Sequence, residues 1–110
     1  MEIIKKQNGD INIITIVGNL DTGTSPEVEK AIFECIDGGC TKLLINLGQT
    51  PYISSSGLRV MLASAKKLKG IGELRISNLN DTNQEVFDIS GFSTILNVDT
   101  VEEEALSKFN

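Results

Sequence analysis

The run Leu43-Leu44-Ile45-Asn46-Leu47 limits the possible folds more than any other stretch of the chain. A strand with one wet face alternates apolar and polar residues. This run is nearly continuous in apolar residues, which predicts a central strand buried on both faces with helices packed nearby. A helical pattern comes next, with Leu58, Met61, Leu62, Ala65 and Leu68 at spacings of three and four. The handover between strand and helix is Pro51-Tyr52-Ile53-Ser54-Ser55-Ser56-Gly57, so three consecutive serines stand at a strand–helix junction. The first N–H groups of a helix lack internal partners and can be capped by a Ser hydroxyl. The same end of a helix also favours negative charge, phosphate included. The serines therefore read either as an ordinary helix cap or as acceptors of a phosphoryl group, and local sequence leaves both open.

The rest of the chain fits around that unit. Residues 2–7 and 11–17 read as strands, joined at Asn8-Gly9-Asp10 by the Asn-Gly pair of a tight antiparallel hairpin. Residues 18–24 form a loop rich in turn residues. A helix follows, with Ser25 as its cap and Pro26 at its first position. Its apolar stripe is Val28, Ala31, Ile32, Cys35 and Ile36, and Gly38-Gly39 stops it. After the central strand (42–47) and the second helix, which ends at Gly70, residues 73–78 form a fourth strand. A third helix starts at Asn80-Asp81-Thr82, carries Val86, Phe87 and Ile89, and ends near Ser90-Gly91. Residues 94–98 read as a short edge strand. Residues 101–109 read as a last helix with Val101, Ala105 and Phe109 on one side. The predicted order is β-β-α-β-α-β-α-β-α: an α/β fold with a mixed sheet of four to five strands and about four α-helices. Its strand–helix–strand units imply parallel pairing with right-handed crossovers. The 110 residues suit one domain, 1–110.

Charge and composition exclude several functions. A net charge of −5 argues against a nucleic-acid partner. Lys66, Lys67 and Lys69 complement the negative end of the second helix, and Glu102-Glu103-Glu104 complement the positive start of the last one. The N-terminus lacks the apolar core of a signal peptide, and no apolar run reaches membrane length, so the expectation is a cytoplasmic protein with no direct membrane contact. Two cysteines and no histidine make a poor zinc site. Cys35 reads as a small buried hydrophobe and Cys40 as a turn residue. A cytoplasmic setting disfavours a disulfide between them.

Catalytic options are few. Without histidine there is no Ser-His or Cys-His dyad. The lysines of the second helix lie about 15 Å or more from the serines, because three helical turns intervene. Gly18…Gly23-Thr24 has a superficial phosphate-loop spacing but no Lys before the Thr. Asp21 and Asp81 have turns and caps as alternatives to acid–base work. A serine-nucleophile enzyme would have no base in sight. The sequence thus predicts no catalysis, no cofactor and no metal.

Taken together, Gly18-Asn19-Leu20-Asp21, Leu44-Ile45-Asn46-Leu47, Tyr52-Ile53-Ser54-Ser55-Ser56-Gly57-Leu58, Val86-Phe87-Asp88-Ile89-Ser90-Gly91-Phe92 and Ile95-Leu96-Asn97-Val98 resemble the anti-sigma factor antagonists, the single-domain members of the STAS group. The resemblance runs over essentially the whole chain and implies a switch rather than an enzyme. The unmodified protein would bind an anti-sigma factor that is also an ATP-dependent serine kinase, and so free a sigma factor. Phosphorylation of one serine would end the complex, and a serine phosphatase would reset it. By motif position the acceptor is Ser55, with Ser54 and Ser56 as neighbouring candidates. The implied partner surface comprises Asp21, Thr22, Ser54, Ser56, Gly57 and Arg59. Two positions depart from the family's common pattern: Ser54 and Asn46 stand where Asp is often found. Similar domains also serve as accessory subunits of membrane transport systems. That gives a second expectation, an interaction module that is never phosphorylated.

Overall fold

In the computed structural model, which describes residues 1–109, the β-branched runs on either side of Gly9-Asp10 pair as an antiparallel hairpin. Its strands are β1 (Glu2–Asn8) and β2 (Ile11–Val17), with Asn8 opposite Ile11. The chain continues through α1 (Ser25–Asp37), β3 (Lys42–Asn46), α2 (Ser55–Leu68), β4 (Glu73–Ser77), α3 (Asp81–Ile89), α4 (Phe92–Ile95), β5 (Asn97–Asp99) and α5 (Glu102–Lys108). The strands lie side by side in chain order, β1-β2-β3-β4-β5, and every pair after the hairpin is parallel. The sheet is therefore mixed, as its sequence pattern implies.

Crossovers of one hand between strands laid down in one direction put their helices on one face of the sheet. The large core has that arrangement. Ile14, Ile16, Leu43, Ile45, Leu74 and Ile76 meet Val28, Ile32 and Ile36 of α1, Leu58, Met61 and Leu68 of α2, and Phe87 of α3. The opposite face is covered by α5, whose Ala105 packs with Ile13 and Leu44, flanked by Leu106 and Phe109. Leu43, Leu44 and Ile45 are all fully buried, which is why β3 does not alternate. Each such side chain contributes about 1.5–3 kcal/mol on burial.

Polar groups complete the α5 face. Ile13, Leu44 and Arg75 occupy one row across β2, β3 and β4. Arg75 pairs with Glu73 and, at 2.8 Å, with Asp99, and its guanidinium lies 6.0 Å from the Phe109 ring. Lys108 of α5 reaches Asp99 at 2.9 Å. Burial pushes the Asp99 carboxyl up, but the hydrogen bonds from Arg75 and Lys108 outweigh it and hold it below the usual range.

Several expectations from the sequence need correction. Thr24, not Ser25, occupies the cap position of α1, with no side-chain cap bond, and Ser25 is the first helical residue. The segment read as an edge strand at 94–98 begins as the single helical turn α4, and only Asn97–Asp99 pair with β4. In α3 the buried side chains are Asn83 and Phe87, four apart; Ile89 is 79% exposed. Val101 is exposed, so the inner side of α5 rests on Ala105 and Phe109. Cys40 is the buried cysteine, and Cys35 is half-buried.

Candidate functional site

Parallel neighbours end on the same edge of a sheet, so the loops leaving β2 and β3 emerge together, where open α/β sheets place ligands and partners. Here those loops are laced to each other. Gly18 N–H donates to the Gln49 carbonyl at 3.0 Å, Leu20 N–H to Tyr52 at 2.9 Å, and Ser54 N–H to Leu20 at 2.9 Å. Leu20 and Ile53 form an isolated parallel bridge, and both side chains are buried. The second loop is also held from below. Thr50 Oγ1 donates to the Ile16 carbonyl at 2.8 Å, Asn83 Nδ2 to the Thr50 carbonyl at 2.8 Å, and Asn80 Nδ2 to the Pro51 carbonyl at 3.1 Å.

Gly57 lets α2 approach this lacing. A Cβ at that position would stand 2.7 Å from Leu20 Cγ, 2.9 Å from Ile53 Cγ2 and 2.9 Å from the Leu20 carbonyl. No other residue fits without moving both loops.

Two helix starts face each other across the bridge. At α1, the Asp21 carboxylate accepts from Gly23 N–H at 3.0 Å and Thr24 N–H at 3.1 Å. Thr24 Oγ1 accepts from Asp21 N–H at 3.0 Å and donates to the Asn19 carbonyl at 2.7 Å. Ser25 N–H and Oγ both turn back to the Asp21 carbonyl. Asp21 thus organises its own turn.

The three serines of the α2 start differ from one another. Ser54 is the N-cap, and its Oγ accepts from Gly57 N–H at 3.3 Å. Ser56 Oγ lies 3.2 Å from Thr22 Oγ1, which joins the two helix starts side chain to side chain. Ser55, the first helical residue, is exposed, and its hydroxyl makes no side-chain hydrogen bond among the described residues. No acidic side chain occupies the first turn of α2. The positive end of its dipole, with unpaired N–H groups, is left to whatever anion arrives. Arg59, also exposed, stands four residues after Ser55 and thus one turn along the same side. Thr22, Ser25, Ser56, Arg59 and Val60 line a shallow groove of about 370 Å³ between the two helices.

A STAS domain model matches residues 2–105. The chain belongs to the STAS domain family. It is 36% identical over 98 residues to the protein BtrV of Bordetella bronchiseptica, covering 88% of this chain and 84% of that one. It is 32% identical over 104 residues to the anti-sigma-B factor antagonist of Listeria monocytogenes, covering 92% and 90%. The fold matches the Bacillus cell fate determinant SpoIIAA in its phosphorylated form, with a TM-score of 0.73 at 24% identity over 97% of this chain and 98% of that one.

The two departures from the common STAS pattern have local explanations. Position 54 is an N-cap, where Ser and Asp serve about equally well. Asn46 Oδ1 accepts from Gly48 N–H at 2.8 Å while its Nδ2 donates to Glu102 Oε1 at 3.0 Å. An Asp would keep the first bond and face a like charge in place of the second.

The six residues that the sequence reading expects on a partner surface lie at the one junction: Asp21 and Thr22 on the first loop, Ser54, Ser56, Gly57 and Arg59 on the second and on α2. Gly57 is buried there and acts by its size. Sequence reasoning missed the supports beneath, Thr50, Asn80 and Asn83. Asn83 carried a signal, since it lies four residues before Phe87 on the inward side of α3. Among the described residues no helix is long and apolar enough to cross a membrane, and no three His, Cys, Asp or Glu side chains gather as a metal site.

Proposed function

We propose that this STAS domain is a cytoplasmic anti-sigma factor antagonist, a regulatory binding protein controlled by phosphorylation of Ser55. The observation that carries the assignment is the unequal use of the three serine hydroxyls. Ser54 caps the helix and Ser56 is tied to Thr22, whereas Ser55 is exposed at the start of α2. The relatives named as anti-sigma factor antagonists and the phosphorylated SpoIIAA structure support the reading.

In this scheme the unmodified junction, with Asp21, Thr22, Ser54, Ser56, Gly57 and Arg59, binds an anti-sigma factor that is also a serine kinase. The kinase moves the γ-phosphoryl group of ATP to Ser55 Oγ. The new group adds roughly −1.5 to −2 charges at a helix start that tolerates them, so the fold is unaffected. A partner packed over the turn instead meets a desolvated dianion. A loss of about 3 kcal/mol, roughly a hundredfold in affinity, separates the two states. A serine phosphatase restores the first.

The test is intact mass and site mapping after incubation with ATP and the anti-sigma factor kinase of the same organism. One phosphoryl group on Ser55, absent in Ser55→Ala, is the expected result. No modification by a kinase active on another substrate would leave the unphosphorylated interaction module, an accessory subunit of a transport or signalling complex, as the better account.

A further inference from the structure

The far end of α1, away from the serines, holds the two cysteines. The helix closes there with two backbone bonds: Cys40 N–H donates to the Cys35 carbonyl at 3.2 Å, and Gly39 N–H to Ile36 at 3.0 Å. Gly39 between them has φ +108°. This is the Schellman arrangement, a six-to-one bond around a five-to-two bond with a left-handed glycine at the turn. Such a closure commonly brings the side chains of its first and sixth residues into apolar contact. Here both are cysteines. Both line one cleft of about 380 Å³ with Gln7, Asp10 and Asn12. Cys40 Sγ also points to the Lys42 carbonyl at 3.5 Å.

We propose that Cys35 and Cys40 form a reversible dithiol–disulfide site that closes across the end of α1. The six-to-one bond already holds the two backbones at the short range a disulfide needs, and a left-handed glycine in the intervening loop takes up the turn. The oxidant is a small-molecule disulfide entering the cleft. The half-exposed Cys35 thiolate attacks one of its sulfurs, a mixed disulfide forms, and the first small thiol leaves. The Cys40 thiolate then attacks Cys35 Sγ and expels the second. Two electrons pass from the protein thiols to the external disulfide, and the two thiol protons end on the two released thiols.

Speed is not built into the site. Burial and the neighbouring Cys35 thiol push the Cys40 thiol up to about 12. The last turn of α1 carries no basic side chain, and the negative end of a helix disfavours thiolate. The pair therefore reports the standing redox poise rather than acting as a catalyst.

The test equilibrates the full chain in mixtures of glutathione and glutathione disulfide, quenches with acid, alkylates the remaining thiols and reads intact mass. Both thiols should be lost together in a monomer carrying no glutathione. Cys40→Ser should instead hold glutathione on Cys35. Reduced wild-type protein should also bind phenylarsine oxide, which bridges adjacent thiols, and either Cys→Ser change should weaken that binding roughly a hundredfold. The proposal is overturned by thiols that stay alkylatable in excess glutathione disulfide. Stable glutathione on wild-type Cys35, disulfides between chains, or arsenical binding indifferent to either substitution would also overturn it.

Discussion

The starts of α1 and α2 lie against each other, are both rich in hydroxyl side chains, and end up in opposite states. At α1 the side chains of Asp21, Thr24 and Ser25 all turn back on their own loop. At α2 one serine caps, one reaches across to Thr22, and Ser55 is left over. A polar helix start is a structural device when the backbone uses its oxygens and a reactive one when an oxygen is in surplus. Counting hydroxyls in the sequence does not separate the two cases. The difference follows from how many backbone donors each turn presents and which side chains reach them.

Substitutions should grade this contrast. The largest loss is expected from Gly57→Val, which drives a branched side chain into the bridge that both helix starts share. Its unfolding free energy in urea should fall by about 3 kcal/mol. Asp21→Ala removes the acceptor for two N–H groups of the α1 turn, and a drop of about 2 kcal/mol is expected in the same assay. A variant as stable as the parent would mean that solvent caps that turn equally well. Ser54→Ala should cost about 1 kcal/mol and Ser54→Asp less than about 0.5 kcal/mol, as read from thermal midpoints, because only the first removes the cap. Ser55→Asp should leave the midpoint nearly unchanged, within about 0.5 kcal/mol. In calorimetric titration against the partner kinase it should nonetheless weaken Kd by roughly a hundredfold. A Ser55→Asp protein that binds as tightly as wild type would dissolve the contrast between the two helix starts.

Some of this is visible before any coordinates. The central strand shows because burial on both faces removes its alternation, and the α2 stripe because α2 packs one face on the sheet. The serine cluster at the junction shows because turn and cap residues stand at fixed offsets from both elements. What stays hidden depends on partners distant in the chain. The contact of Thr22 with Ser56, the bridge of Leu20 to Ile53, and Asn83 beneath Thr50 each join segments about thirty residues apart. The α4 turn hides for another reason. Four residues are too few to show a helical period, so Thr94 to Val98 reads as strand. The choice between Thr24 and Ser25 as the cap turns on Asp21, because the Ser25 N–H and Oγ both donate to the Asp21 carbonyl, which draws Ser25 into the first turn.

The order of the strands also bears on how the molecule is made. Because spatial order repeats chain order, each strand leaving the ribosome pairs with the edge completed just before it, and none has to be inserted between two already joined. Every closure after the hairpin spans a single crossover, so its entropic cost grows only slowly with the length of that crossover. The exception is the face that α5 covers. Ile13 and Leu44 belong to early strands, but Ala105 follows all five strands in the chain. A chain cut before α5 would carry all five strands and leave the apolar strip of Ile13 and Leu44 open to other molecules.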